Sequence, residues 1–465
     1  MANIKFGTDG WRAIVGKDFT HENVQKVTLA IAKYQYDNFG SDKKIIIGYD
    51  PRNMAREFAV FTAKILAKCG FDVVLSSQIV ATPVLAYAAK YYNANAIMFT
   101  ASHNPPQYLG MKFIPDYAGP ATDEITKEIV KNIDADLSKY NFKPKNFKET
   151  AFDNIYFEHL KTIIDFDKIK ESKIEVNYDG LHGAASALFT EILDSYGIKY
   201  TSMNLNPDPT FGGKMPEPKE KYLPELKALC KETGNIGLSN DGDGDRFGAF
   251  NEKGEFVTPN EIIAILLNHL VANKKYTGKL VKTVGASTMH DLYAKYLDIE
   301  VIETAVGFKW VGQAMRENDV IIGGEESGGL SIKGHIPEKD GIIANLLIIE
   351  SMAYSNKKLF ELQEELHKTV GCRFVNTRVD LELESIEEQE EIIDRFRNIT
   401  EIGPLKIKNT NSLDGLKLYL DDDLSWILIR KSGTEPLLRI YFESDSNEKI
   451  EQLKESVNKI TKNRH

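Results

Sequence analysis

Asp241-Gly242-Asp243-Gly244-Asp245-Arg246 sets three carboxylates at alternate positions with glycines between them. A tight loop of this composition can turn all three side chains toward one point, where three oxygen anions suit a hard divalent cation such as Mg2+. Only three carboxylates leave such a site open, and an open position is what a catalytic ion needs to hold a phosphoryl or substrate oxygen. Glu252 at the twelfth position makes an EF-hand calcium loop a competing reading. Against it, the sixth position is Arg246 instead of Gly, and the flanks 236–239 and 247–250 look like strands, not helices. A solvated acidic turn is the plain alternative.

A second string, Thr100-Ala101-Ser102-His103-Asn104-Pro105-Pro106, follows the apolar run 94–99. It places a serine at the carboxyl end of a buried strand, in a turn enforced by Asn104-Pro105. Alone, Ser102 could be a nucleophile of any kind or an ordinary turn residue. A third string, Gly323-Gly324-Glu325-Glu326-Ser327-Gly328-Gly329, follows the run 319–322. Glycine-rich loops after strands can cradle phosphate, but two carboxylates here would repel phosphate and suit sugar hydroxyls; a structural turn is equally compatible. Downstream, Gly334-His335-Ile336-Pro337-Glu338-Lys339-Asp340-Gly341 offers a His and a Lys for proton transfer or phosphate contact. A fourth string, Arg430-Lys431-Ser432-Gly433-Thr434-Glu435-Pro436 with Arg439 after it, combines guanidinium, hydroxyls and backbone N–H groups, the parts of an anion nest. A surface turn with salt bridges is its alternative. There is no Walker P-loop, no Gly-x-Gly-x-x-Gly after a strand and no Gly-x-Ser-x-Gly elbow, which disfavours nucleotide enzymes and hydrolases of the elbow type.

The elements that must carry these loops repeat. Strand 45–50, a helix containing Phe61-Thr62, Gly70-Phe71 and a strand from Asp72 to Leu75 are echoed by strand 174–179, a helix containing Phe189-Thr190, Gly197-Ile198 and a second strand. A weaker third copy runs through 279–284, Met289 to Leu297 and 299–302. Each is a βαβ unit, which predicts parallel sheets covered by helices. The last segment differs: an acidic helix from Leu381 to Asn398, strands at 426–430 and 438–442, and a closing helix from Glu448 to Lys462. The expected fold class is therefore α/β, with three related βαβ-type domains plus a C-terminal α+β domain. Polar, lysine-rich stretches mark a linker at Asn141 to Thr150 and boundaries near 251–260 and 368–373. The expected domains are 1–152, 153–255, 256–370 and 371–465.

A chain of 465 residues is too long for one ordinary core. With 42% hydrophobic and 27% charged residues it has the composition of a soluble globular protein. A net charge of −10 argues against nucleic acid as the main partner. Three widely spaced cysteines, Cys69, Cys230 and Cys372, argue against a disulfide framework or a thiolate zinc site. The run from Ile262 to Ala272 holds Asn268 and His269 and reads as a buried helix, not a membrane span. With no apolar signal core near Met1, a reducing, cytoplasmic compartment is expected.

Taken jointly and in this order, the four motifs, with Phe6-Gly7-Thr8-Asp9-Gly10-Trp11-Arg12 and Tyr49-Asp50-Pro51-Arg52, resemble the α-D-phosphohexomutase family of phosphoglucomutases, phosphomannomutases and phosphoglucosamine mutases. The resemblance covers essentially the whole chain and is nearest to bacterial-type phosphoglucomutases. It implies four domains around a central cleft. It also implies Ser102 as a phosphoserine that, with Asp241, Asp243 and Asp245, makes up the Mg2+ site. His103, Lys112, Lys339 and Arg246 would form the proton-transfer and phosphate-steering set. Thr8, Arg12, Gly307, Phe308, Lys309, Glu325, Ser327 and His335 would contact substrate, and Arg430, Ser432, Gly433, Thr434 and Arg439 would bind its non-reacting phosphate. Glucose 1,6-bisphosphate is then the activator and intermediate, a hexose phosphate the partner, and the assembly a monomer or homodimer.

Three positions depart from the family pattern. Leu109 stands where an Asn often precedes Gly-x-Lys, Phe308 replaces the His of some members and so removes a histidine acid there, and Lys431 replaces a frequent Pro. The Glu325-Glu326-Ser327 string and the 335–341 string resemble the glucose version. The expected reaction is interconversion of glucose 1-phosphate and glucose 6-phosphate, with mannose phosphates second because glucose and mannose differ only at the 2-hydroxyl. Phosphomannomutase and phosphoglucosamine mutase are the alternatives within the family. A non-catalytic sugar-phosphate binding protein is the alternative outside it, disfavoured by the intact Ser102 and aspartate triplet.

Overall fold

Three times the chain runs strand, helix, parallel strand. The first copy is Ile45–Tyr49, Ala55–Lys68 and Val73–Ser76. The second is Val176–Asp179, Ser186–Tyr196 and Tyr200–Met203. The third is Lys279–Thr283, Thr288–Tyr296 and Val301–Thr304. In the computed structural model, which describes Ile4, the backbone of Phe6 and Gly7, residues 10–432 and residues 436–462, these copies lie in a seven-stranded, a five-stranded and a four-stranded sheet. Their central strands are apolar without alternation, as Ile45-Ile46-Ile47 shows, because helices cover both faces.

The sheets are mixed, not purely parallel as the βαβ pattern predicted. In each, a further parallel strand is followed by a short loop and an antiparallel return. These pairs are Asn95–Phe99 with Tyr108–Ile114, Ile236–Asn240 with Phe247–Phe250, and Val320–Gly324 with Leu330–Ile332. The reason is length: a parallel partner needs a crossover of roughly a dozen residues or more, and these loops are far shorter. The Ser102, aspartate and Glu325 motifs occupy these three turns, so one architectural feature, used three times, delivers all three to the carboxyl ends of the parallel strands.

Two local expectations are corrected. Lys148–Thr150, read as the end of a linker, is a strand that pairs in parallel with Val73–Ser76 at the sheet edge. The acidic helix expected from Leu381 is shorter, Glu388–Arg397, and the residues before it belong to the strand Val375–Glu382. Val375, Thr377, Val379 and Leu381 alternate with polar residues, a two-residue period that the acidic composition masked. This strand pairs with Leu437–Ser444 in a six-stranded sheet, against which the helices Glu388–Arg397 and Asn447–Lys462 pack through Ile393, Phe396, Ile450 and Leu453.

One hydrophobic cluster runs from Ile46 through Tyr178 and Leu238 to Ile322 and Phe374, so the first three units share a continuous core. Within it the helix Gly341–Ser355 is buried from Gly341 to Ala353. Its polar residues are paired: Asn345 donates to Ser239 O (3.2 Å), and Glu350 accepts from His269 (2.9 Å) and the Asp165 N–H (2.7 Å). The last unit has a separate core and meets the third through a small cluster of Val284, Trp426, Leu428 and Tyr441.

Candidate active site

Ser102 sits at φ 50°, in the left-handed region that costs a non-glycine residue about 1–3 kcal/mol. The loop is over-determined around it. The buried Arg52 guanidinium donates to the carbonyls of Ser102 (2.6 Å), Asn104 (2.6 Å), Pro105 (2.8 Å) and Tyr108 (3.0 Å), and is itself held by Asp50 at 3.3 Å. Thr100 Oγ1 accepts the Ser102 N–H at 2.8 Å. Ser102 Oγ thereby points at Asp241 Oδ2 (3.0 Å), with His103 Nδ1 at 3.3 Å. The Arg246 charge first, then burial and the Arg12 charge, push His103 well below the usual histidine range, so its imidazole is neutral at neutral pH. Arg12 donates to Asn104 Oδ1 at 2.6 Å and braces the same loop.

Asp241, Asp243 and Asp245 are all buried, with one oxygen from each inside a common 4.8 Å group. The loop can lie this close to Ser102 because Gly242 has no side chain; a Cβ there would stand 2.9 Å from the Ser102 carbonyl oxygen. Antiparallel strands on both sides exclude the EF-hand reading, which requires flanking helices. Burial, then the charges of Asp243 and Asp245, push Asp241 well above the usual carboxylate range; Asp243 is raised by burial and then by Asp245. Asp243 Oδ2 accepts from Thr82 Oγ1 (2.7 Å), while its buried Oδ1 has no hydrogen-bond partner among the described residues. Hard oxygen donors, mutual repulsion and an orphaned carboxylate oxygen together fit a divalent cation.

Lys112 and Lys339 converge on the same corner. Lys339 Nζ is 3.0 Å from Asp245 Oδ2, and Lys112 Nζ is 3.9 Å from it. Arg246 Nε lies 4.0 Å from Asp245 Oδ1; burial opposes its charge, but Asp245, Asp241 and Glu325 outweigh burial. Leu109, the departure from the family pattern, is buried in the first core and leaves Lys112 in reach of the triplet. Sequence reasoning missed Glu338, which lies 3.0 Å from Lys112 Nζ. It also assigned no role to Arg52 or Thr82. Glu338 and Arg52 were visible only within the strings 334–341 and 49–52, and a single Thr carries no spacing signal.

The third hairpin holds Glu325 by a hydrogen bond from the Gly307 N–H to Oε1 (3.0 Å), with Ser327 Oγ 3.5 Å from Oε2. Glu326 turns away and accepts from Thr283 Oγ1 at 3.0 Å. Lys309 donates to Asp123 of the first unit at 2.6 Å. Phe308 is packed among Val281, Val311 and Val320, so it offers a ligand its backbone, not its ring. His335 stands apart from the sugar-binding pair: its Nε2 meets Asp340 (2.8 Å) and its Nδ1 meets His159 Nε2 (2.9 Å), and Tyr156 also donates to Asp340 (2.5 Å).

In the last unit Arg430 and Arg439 are directly opposed on the antiparallel strands Trp426–Lys431 and Leu437–Ser444, so two guanidinium groups share one face. Asp414 Oδ2 accepts from Arg430 Nε (2.9 Å) and from the Val306 N–H (2.9 Å), tying this pair to the Gly307 loop. Arg439 Nε is buried without a hydrogen-bond partner among the described residues. Like charges at such a pair favour an anion between them. Ser432 is buried beside them; Thr8, Gly433 and Thr434 lie outside the described residues.

Family models for phosphoglucomutase/phosphomannomutase match the chain in four successive blocks: alpha/beta/alpha domain I over residues 3–139, domain II over 153–254, domain III over 258–370 and the C-terminal domain over 404–460. A phosphoglucomutase/phosphomannomutase of Thermococcus kodakarensis is 31% identical over 96% of both chains. A phosphoglucosamine mutase of Methanocaldococcus jannaschii is 32% identical over 98% of both. Among solved structures, a Thermus thermophilus protein assigned as a phosphomannomutase superposes with a TM-score of 0.88 at 30% identity, covering 99% of each chain. Four domains with a serine, an aspartate triplet and two lysines at one corner define a phosphohexomutase, an intramolecular phosphotransferase. The chain belongs to the phosphoglucomutase/phosphomannomutase family of α-D-phosphohexomutases. No helix among the described residues is long and apolar enough to cross a membrane.

Proposed function

We propose that the protein interconverts glucose 1-phosphate and glucose 6-phosphate through a phosphorylated Ser102 and a glucose 1,6-bisphosphate intermediate, with mannose phosphates as a second substrate. The observation that carries the phosphoserine role is Ser102 Oγ at 3.0 Å from Asp241 within the carboxylate triplet. In the first half-reaction the Ser102 Oγ–P bond breaks as a bond forms between phosphorus and the free hydroxyl of the sugar phosphate; that hydroxyl loses its proton and the Ser102 oxygen left behind takes one up. The bisphosphate then turns end for end. In the second half its other phosphoryl group passes to Ser102 Oγ; the serine proton goes to the neutral His103 Nδ1, and the sugar oxygen left behind is protonated. Asp241, Asp243 and Asp245 would hold Mg2+, which would supply charge neutralisation at the transferring phosphoryl group. Lys112, Lys339 and Arg246 add cationic contacts to its oxygens. Arg430, Arg439, Ser432, Gly433 and Thr434 receive the phosphate that does not react, and Glu325 with Ser327 binds adjacent hydroxyls in both orientations.

The glucose assignment rests on the resemblance of the Glu325-Glu326-Ser327 and 335–341 strings to the glucose version, with Glu325 held by the Gly307 N–H and Glu326 accepting from Thr283. The phosphoglucosamine mutase at 32% identity favours the second reading, glucosamine phosphates. Glucose, mannose and glucosamine 1-phosphates, assayed side by side with the matching bisphosphate, decide between them. The expected kcat/KM order is glucose, then mannose, then glucosamine, with activity lost on chelation and restored by Mg2+. Highest kcat/KM on glucosamine 1-phosphate would overturn the glucose assignment.

A further inference from the structure

Four buried charges form a closed ring in which signs alternate. Lys112 Nζ lies 3.0 Å from Glu338 Oε2 and 3.9 Å from Asp245 Oδ2. Lys339 Nζ lies 3.0 Å from Asp245 Oδ2 and 3.9 Å from Glu338 Oε1. All four side chains are at most 3% exposed. The corners come from three units: Lys112 from the first sheet, Asp245 from the second, Glu338 and Lys339 from the third. Asp245 is also one of the three carboxylates that would hold the cation. Two ammonium groups at such a place are its competitors, since each can neutralise a carboxylate the metal needs.

Glu338 is in a position to settle that competition for Lys112, because its loop is fixed and cannot follow Lys112. The Pro337 carbonyl oxygen is wedged between Gly119 of the first unit and Gly312 of the third, where a Cβ would stand 2.6 and 2.5 Å from it. On the other side Asp340 caps the central helix through the N–H groups of Ile342 (2.9 Å) and Ile343 (3.0 Å) and is pinned by Tyr156 and His335. Glu338 Oε1 accepts the neighbouring Lys339 N–H at 3.0 Å, which orients the carboxylate.

We infer that Glu338 is a positioning residue, the fixed counter-anion that draws Lys112 off Asp245 and so keeps the charge of the aspartate triplet available for the divalent cation. This rests on the reading of Asp241, Asp243 and Asp245 as metal ligands. Removing the Glu338 charge lets Lys112 collapse onto Asp245; removing Lys112 as well restores the balance.

The test is calorimetric titration of the full-length, dephosphorylated enzyme with Mg2+. Glu338→Gln is expected to weaken binding about tenfold, and the double variant Glu338→Gln/Lys112→Met to return it to within about twofold of wild type. Unchanged affinity in Glu338→Gln, or a double variant as weak as the single one, would overturn the inference. Lys112→Met alone probes the same competition even if Glu338→Gln fails to fold: tighter Mg2+ binding supports the inference, and unchanged or weaker binding overturns it. A wild-type enzyme that binds no Mg2+ would instead remove the metal reading itself, so the two failures are distinguishable.

Discussion

The Ser102–Asp241 corner and the Arg430 region both stand at the ends of antiparallel strand pairs and are the two places proposed to meet phosphate, yet they are held in opposite ways. At the corner, Ser102, the three aspartates, Lys112 and Lys339 are buried, and the surrounding units share a continuous core. The Arg430 loop belongs to a unit with its own core. That unit meets the third through a few apolar residues and through polar links such as the Val306 N–H to Asp414 and the Thr288 N–H to Glu443, a carboxylate that also accepts from Trp426 Nε1. Phosphoryl transfer depends on groups fixed within about half an ångström, which a shared core provides. Capture and reorientation of a substrate need only that one cationic platform can meet it, and a separately folded unit suits that. On the proposed roles, chemistry and capture would be divided along the line where the continuous core ends.

The strongest break of this contrast comes from Ser102→Ala, expected to lower kcat by roughly 10^4-fold or more while leaving hexose-phosphate binding intact. Steady-state kinetics with a binding titration check it, and full activity would remove the phosphoserine from the mechanism. Next in size is Arg430→Ala. Loss of a charge-assisted phosphate contact is expected to raise KM by about 10–100-fold, with phosphorylation of Ser102 by bisphosphate preserved. Intact-mass measurement of the phosphoenzyme separates the two effects; loss of the phosphoserine would mean that the Arg430 loop takes part in the chemistry.

The smallest effect concerns the seam itself. Lys417 is buried there, donates to Val284 O at 2.8 Å and lies 4.1 Å from the Trp426 ring centre. Burial, then the Lys282 charge, push it down to about 8 from 10.5. Between these values the folded chain binds fewer protons than the unfolded chain, so stability rises with pH across that window, and the burial penalty is fully present below about pH 8. The melting temperature of wild type relative to Lys417→Met is expected to climb from about pH 8 toward pH 10, reflecting at most about 3 kcal/mol. Parallel curves for the two proteins would show that the seam does not carry this strain.

Much of the molecule could be read from the chain because its signals are local. The apolar runs at 45–47 and 320–322 mark buried strands, and glycines between the aspartates mark a tight oxygen-rich turn. The order of the four motifs carried the family. Strand direction was missed although the brevity of the 241–246 loop already forbade a parallel return. The strand Val375–Glu382 was hidden by its charges.

By itself the sequence determined the chemical inventory: a serine on a constrained turn, a carboxylate triplet, a glycine-rich loop with two carboxylates and a loop with guanidinium and hydroxyl groups, each defined by neighbours a few residues away. Tertiary structure alone decided which of these meet and which distant residues serve them. Ser102 and Asp241 are 139 positions apart and 3.0 Å distant. Arg52 clamps a loop some fifty positions away, His335 is drawn into the contact with Tyr156 and His159, and Glu338 completes a ring with Lys112 and Asp245. Local patterns record backbone propensity and burial, whereas the pairing of charges across domains depends on how sheets and helices pack, and no spacing along the chain encodes that.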